Sequence, residues 1–147
     1  MHITIAAIGK LKNPALKSLY DEYQKRLEWK IALYEFETRA SKDQEGSLLL
    51  GPISSSTFLI TLDENGENLK SEDFAICLKN IQLYHQGKLG VIIGGANGLS
   101  EQVKQKAQKS ISFGRMTWPH LFVRVMLIEQ LYRAQQILKG HPYHRGG

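Results

Sequence analysis

The strongest constraint on this chain is its last apolar stretch, LFVRVMLIEQLYRAQQILK over residues 121–139. Pro119 stands just before it, and Gly140 and Pro142 follow, so the start and stop signals of one long helix are both present. In the first two turns Leu121, Phe122, Val123, Val125, Met126, Leu127 and Ile128 point to all sides. A sheet covers one stripe of a helix. A helix that is apolar all round must be buried on its other side as well, by another helix or a second subunit. Arg124 is the lone charge in that run. It reads either as an arginine whose head reaches the surface along an apolar stem, or as a partly buried cation that pairs with a carboxylate or holds a loop or ligand.

Upstream, strand and helix patterns alternate. Residues 2–8 are rich in Ile and almost continuously apolar, as in a strand buried on both faces of a parallel sheet. Asn13 and Pro14 start a helix on which Leu16, Leu19, Tyr20, Tyr23 and Leu27 share a face. Asp21 with Lys25 and Glu22 with Arg26 are spaced to pair on its wet side. Residues 31–38 alternate, with Ala32, Tyr34 and Phe36 on one face and Glu35 and Glu37 on a solvated one, which suits a strand near an edge. Residues 39–56 read as a loop with room for one helical turn. Residues 57–62 form the next strand and DENG (63–66) its turn. Ser71 is placed to cap a helix with an apolar stripe of Phe74, Cys77, Leu78, Ile81 and Tyr84. Residues 89–93 are a short strand, Ser100 caps a polar helix over 101–109, and Ile111 and Phe113 mark a brief last strand. This alternation predicts an α/β fold with a mostly parallel sheet flanked by helices, and the length predicts one domain over residues 1–147.

The formal charge of +5 favours a polyanionic partner without proving one. Cys77 is the sole cysteine, which excludes an intrachain disulfide and a cysteine metal cluster, and its position in an apolar stripe predicts a buried thiol. The first residues lack the layout of a secretory leader, and no apolar run reaches the length of a membrane span. A reducing cytoplasm is the expected setting.

Chemistry concentrates after the strand at 89–93. The run LGVIIGGANGLS puts Gly94 and Gly95 directly behind that strand, at the end where open α/β sheets bind ligands. Without a Cβ there, a nucleoside can lie against main-chain amides and carbonyls. For a lone glycine pair a tight turn is the favoured explanation. A second loop, SISFGRMTWPH with Gly114, follows the next strand, so two glycine-bearing loops can wall one cavity. Neither G-x-G-x-x-G nor a P-loop motif occurs. His120 lies just inside the last helix, and His141, Tyr143, His144 and Arg145 crowd the tail. Histidine there can accept a proton and Arg145 can meet a phosphate. The alternative is a solvated terminus. No carboxylate accompanies the tail histidines, so no metal site is expected.

The segments IIGGANGL, SISFGRMTWPH and RVMLIEQLYRAQQILKGHPYH, with MHITIAAIGKLKN and TLDENG, resemble the ribosomal large subunit methyltransferase H family over nearly the whole chain. That family belongs to the knotted SPOUT class. The resemblance implies the SPOUT methyltransferase fold, a parallel α/β sheet whose C-terminal part threads a loop as a deep trefoil knot. It implies S-adenosylmethionine as cofactor, bent and held mainly by backbone, and a homodimer packed through the knot helices. It implies methylation of a pseudouridine of 23S rRNA at N3 on the assembled ribosome, with neither metal nor membrane involved. By position, Leu62, Gly94, Gly95, Phe113, Gly114, Arg115, Met116, Thr117 and Trp118 match the family's cofactor contacts. Tyr143, His144 and Arg145 match its catalytic tail. Either His144 or His120 takes the N3 proton, and Lys10, Lys12, Arg115, Lys139 and Arg145 are expected to meet phosphates. The chain departs from the family pattern in residues 39–56, which are shorter and where a helix is expected to be missing. Gly114 and Trp118 also stand where related sequences often carry Ser and another large apolar residue. A catalytically silent RNA- or ribosome-binding factor is the competing class. Such a relative should carry bulky residues at Gly94, Gly95 or Gly114, and this chain keeps glycine at all three.

Overall fold

The computed structural model describes residues 1–145. Its elements run β1 (His2–Ile8), α1 (Pro14–Arg26), β2 (Lys30–Phe36), α2 (Lys42–Leu50), β3 (Phe58–Asn68), α3 (Ser71–Tyr84), β4 (Lys88–Ile93), α4 (Glu101–Lys106), β5 (Lys109–Ser112) and α5 (His120–Leu138). A 3₁₀ turn over Pro142–His144 ends the described chain. The five strands form one sheet in the order β2-β1-β4-β3-β5, and every pairing is parallel. Parallel neighbours need long crossovers, which is why a helix lies between successive strands.

Alternate residues of the inner strands feed two cores. Ile3, Ile5 and Ala7 of β1 face Tyr20, Leu78, Leu127 and Ile128, on the side of α1, α3 and α5. Ala6 and Ile8 face Leu49, Leu99 and Val103, on the side of α2 and α4. β1 and β4 are therefore apolar on both faces, as their continuous Ile and Val content predicts. Helix α5 packs against both α1 and α3. Those neighbours cover its flanks and bury Leu127, Ile128 and Leu131, while Phe122 stays 46% exposed.

Several local expectations are corrected. Residues 39–56 hold a nine-residue helix, α2, rather than a loop. Ser41 caps it by accepting the Gln44 N–H at 3.2 Å, and Asp43 and Glu45 suit its first turn. Its apolar residues cluster at the C-terminal end, so no helical stripe is visible in the sequence. β2 is indeed an edge strand, but of its expected apolar face only Phe36 packs on a core. Ile31 and Leu33 pack on the core while Tyr34 is exposed, and Glu35 points inward to Arg124. Asp21 pairs with Lys17 rather than Lys25. Ser71 is the first residue of α3, not its cap, and its hydroxyl donates to Gln130 on α5. Tyr84 leaves the α3 stripe and is exposed, and α4 stops at Lys106. Cys77 is half-buried, and that burial pushes its thiol pKa up, which keeps it protonated.

Candidate active site at the carboxyl end of the sheet

The irregular middle of β3, where its register shifts between Leu62 and Glu67 and where a turn was expected, meets the loops that follow β4 and β5 around a cavity of about 720 Å³. That volume lies in the range of small-molecule sites. Leu62 and residues 63–65 line one wall, and Ile93 with residues 94–99 a second. Phe113, Gly114, Met116, Thr117, Trp118 and His120 line the third. Of the residues expected to hold a cofactor, all but Arg115 line this one cavity; Arg115 is exposed.

The walls are built differently. Residues 95–98 form a tight turn closed by the Gly98 N–H donating to the Gly95 carbonyl at 3.1 Å. The glycine pair serves packing as well as access. A Cβ on Gly94 would stand 2.9 Å from Leu99 Cδ2 and 3.1 Å from the Gly98 carbonyl oxygen. One on Gly95 would stand 2.8 Å from Ile8 Cγ2. A side chain at Gly94 would therefore strike the turn first. Gly114 differs, with a φ of +114° and nothing within 4 Å of where its Cβ would be. It leaves open space and uses a conformation that L-residues rarely adopt. The loop it belongs to is braced from within. Ser112 Oγ accepts the Gly114 N–H at 3.1 Å, and the Trp118 indole N–H donates to the Phe113 carbonyl at 3.3 Å. Thr117 Oγ1 donates to Glu64 Oε2 at 3.2 Å, joining the third wall to the first.

His120 enters the cavity from the start of α5, and its Nε2 lies beside the bare backbone of Gly9, 2.9 Å from where a Cβ would be. Burial pushes its pKa down, the Arg124 guanidinium pushes the same way, and Glu45 opposes both. The pattern left two readings of Arg124, and the buried one holds. It is fully buried one turn beyond His120. Nη1 donates to the Gly9 carbonyl at 2.8 Å, Nη2 to the Ile8 carbonyl at 3.0 Å, and the guanidinium pairs with Glu35. Glu35 also accepts the Leu11 N–H at 3.0 Å. The carboxyl end of β1, on which both Gly95 and His120 rest, is thus clamped from α5 and β2.

The described tail residues, 141–145, do not line this cavity within their own chain. Tyr143 OH lies 3.1 Å from Glu129 Oε1, and its ring meets Tyr132 edge-on at 4.8 Å between centroids. Burial pushes the Tyr143 phenol pKa up, with Tyr23 and Glu129 adding to the effect. His144 Nδ1 lies 3.1 Å from Arg133 Nη1 and Nε2 lies 2.8 Å from Glu72 Oε1. Guanidinium nitrogens only donate, so Nδ1 accepts and the proton on Nε2 faces Glu72. Both ring nitrogens of His144 are therefore occupied. Arg145 is exposed. Sequence reasoning missed Glu35, Glu72 and Glu129 as partners of Arg124, His144 and Tyr143; Glu35 and Glu72 meet theirs 89 and 72 residues away, which no local pattern encodes. Among the described residues no group of three His, Cys, Asp or Glu is placed to hold a metal, and no helix is long and apolar enough to cross a membrane.

Comparison with known proteins adds independent findings. Residues 1–144 match a family described as predicted SPOUT methyltransferase. The chain is 43% identical to a ribosomal RNA large subunit methyltransferase H of Rhodospirillum centenum, with 99% of each chain covered. It is 42% identical to the protein of that name from Carboxydothermus hydrogenoformans, over 99% of this chain and all of the relative. Among solved structures it resembles the SpoU methyltransferase AviRb from Streptomyces viridochromogenes, crystallised in complex with the cofactor AdoMet. The TM-score is 0.50 at 10% identity, over 94% of this chain and 61% of that one. This last likeness concerns the fold.

Proposed function

The chain belongs to the SPOUT methyltransferase family, and from that premise we propose that it methylates N3 of a pseudouridine in 23S rRNA on the assembled ribosome. The observation that carries the reading is the meeting of Leu62, the 94–98 turn, the 113–118 loop and His120 around one cavity. Its walls combine bare backbone at Gly114 with apolar Leu62, Ile93 and Trp118, which fits a flat adenosine and a thioether chain. S-adenosylmethionine supplies a methyl group already activated on a sulfonium, so the chain has to bind, align and remove one proton. The loops align the two reactants, and the base must be unpaired or turned outward to reach them. His120 accepts the N3 proton. It lines the cavity and its lowered pKa keeps the ring neutral, whereas both nitrogens of His144 are engaged elsewhere.

The reading extends to a homodimer formed through the start of α5, where Phe122 is exposed, with Leu19 of α1 also exposed. In that assembly the tail of one subunit lies over the cavity of the other. Tyr143 then positions the base and Arg145 meets phosphate, as do Lys10, Lys12 and Lys139. The C-terminal threading of the SPOUT class and a cytoplasmic setting belong to the same reading, as does a single domain over the whole chain.

The test is transfer of labelled methyl from S-adenosylmethionine to ribosomes with and without the pseudouridine modification. Transfer only to modified ribosomes is expected. Equal labelling of both would remove pseudouridine as the target, and no labelling of either would remove the enzymatic reading in favour of a silent binding factor.

A further inference from the structure

Gly9 follows β1 and is the residue on which His120 rests. Its φ is +89°, a conformation that suits glycine. The main chain is held on both sides of it. The Gly9 N–H donates to the Phe36 carbonyl of β2 at 2.6 Å, and the Gly9 carbonyl accepts from Arg124 Nη1 at 2.8 Å. The preceding carbonyl, of Ile8, accepts from Arg124 Nη2 at 3.0 Å. His120 and Arg124 are four residues apart, so one face of α5 brings both side chains to this point. The guanidinium grips the two carbonyls, and the imidazole lies on the bare backbone beside them. A Cβ on Gly9 would stand 2.9 Å from His120 Nε2 and 3.3 Å from Cδ2. The ring is therefore seated by one edge where a side chain would otherwise be.

The same strand end supports the second wall of the cavity. Ile8 is fully buried, and its Cγ2 lies 2.8 Å from where a Cβ on Gly95 would be. Ile8 thus backs the 94–98 turn while Gly9 backs His120. Neither residue lines the cavity itself. Two adjacent residues, fixed by one guanidinium, set how far the imidazole stands from that turn.

Resting on the reading of His120 as proton acceptor, we propose that Gly9 is a positioning residue for methyl transfer. Its missing side chain is the seat that fixes the imidazole against the end of β1, at a set distance from the 94–98 turn. In the step, the proton leaves N3 for His120 and its bonding electrons stay on the nitrogen. That pair takes the methyl carbon as the carbon–sulfur electrons return to sulfur. Proton removal needs the imidazole within hydrogen-bond reach of N3, so an error of about 1 Å in its place costs on the order of 10²-fold in rate.

Gly9→Ala in the full-length protein tests this, because the added methyl meets the ring and not the ligand. On ribosomes that carry the pseudouridine, kcat should fall about 10²-fold. Calorimetric affinity for S-adenosylmethionine should stay within about two-fold, since a loss confined to the transition state spares ground-state binding. His120→Ala should be slow by itself. Adding Gly9→Ala to it should cost no further rate, because Gly9 acts through a ring that is no longer there. An equal fractional loss in both backgrounds, or a wild-type kcat for Gly9→Ala, would overturn the role of Gly9. In the wild-type protein a nuclear Overhauser contact between the His120 ring protons and the Gly9 α-protons is expected, and its absence would overturn the seat without any variant. Alanine at this φ is strained. If Gly9→Ala does not fold, Arg124→Lys is read through the same two backgrounds, since it keeps the cation but lacks the planar fork that holds both carbonyls. A His120→Ala chain that methylates at the wild-type rate would instead defeat His120 as acceptor, and wild-type protein that labels no ribosomes would defeat the enzymatic reading. Failure of Gly9 alone shows as a slow His120→Ala chain beside a fully active Gly9→Ala chain.

Discussion

Arg124 and Glu35 form an ion pair between the last helix and the edge strand, with the arginine side chain fully buried and the glutamate 23% exposed. The same guanidinium donates to the carbonyls of Ile8 and Gly9. One side chain therefore ties α5, β1 and β2 together beneath His120. Burial lowers the Arg124 pKa and Glu35 pulls it back up, so the pair is held by geometry that satisfies several acceptors at once.

Arg124→Met should leave the Glu35 carboxylate facing an apolar side chain and release the end of β1. Breaking one partner of a buried pair costs about 3–5 kcal/mol. Chemical denaturation should show that loss, and a variant of unchanged midpoint would mean that the pair is dispensable.

Gly94→Ala should press on the Gly98 carbonyl and Leu99, and displace the turn rather than fill the cavity. Affinity for S-adenosylmethionine should weaken about ten-fold, or ~1.4 kcal/mol. Calorimetry that returns the wild-type affinity would rule out the 94–98 turn as a binding wall.

A chain ending at Gly140 should bind S-adenosylmethionine nearly normally, because none of the described residues after it lines the cavity. Methyl transfer should become very slow if the tail works over the partner's cavity. Full turnover by the shortened chain on ribosomes would make the tail a structural cap on α5.

The His144 hydrogen bond is the first cause that holds the Glu72 carboxyl below the ordinary carboxylate range. Its folded pKa is depressed, so its contribution to tail docking is complete above the ordinary pKa of 4.5 and is lost as pH falls through the folded value. His144→Ala should return Glu72 toward its ordinary titration, as followed by side-chain carboxyl NMR. An unmoved Glu72 midpoint would show that the contact does not persist in solution.

Phe122→Lys should break the proposed dimer. Light scattering at micromolar concentration should give twice the chain mass for the wild type and one chain mass for the variant. A wild-type monomer with normal methyl transfer would refute the assembly.

Much of the architecture was written locally. The continuous apolar run of β1, the Asn13–Pro14 start of α1 and the Ser100 cap of α4 each depend on neighbours in sequence, and each stands where the pattern put it. The cavity loops were legible for the same reason: two glycine-bearing loops follow successive strands at the carboxyl edge of a parallel sheet, where ligands bind. Residues 39–56 were not legible, because α2 is held by the Ser41 cap and by close seating on Ser100 rather than by an apolar stripe.

What the sequence determined by itself was the five strands, the helices other than α2, the two glycine-bearing loops and the need to bury α5 on more than one side. These follow from periodicity, capping and glycine, which act over a few residues. Tertiary structure alone decided which way β2 faces, because Glu35 turns inward only to meet a cation 89 residues away. It also decided that His120 lines the cavity while His144 is held by Arg133 and Glu72, since both are plain histidines in the chain. Charge pairing across a fold depends on distance in space, and sequence spacing carries no record of it.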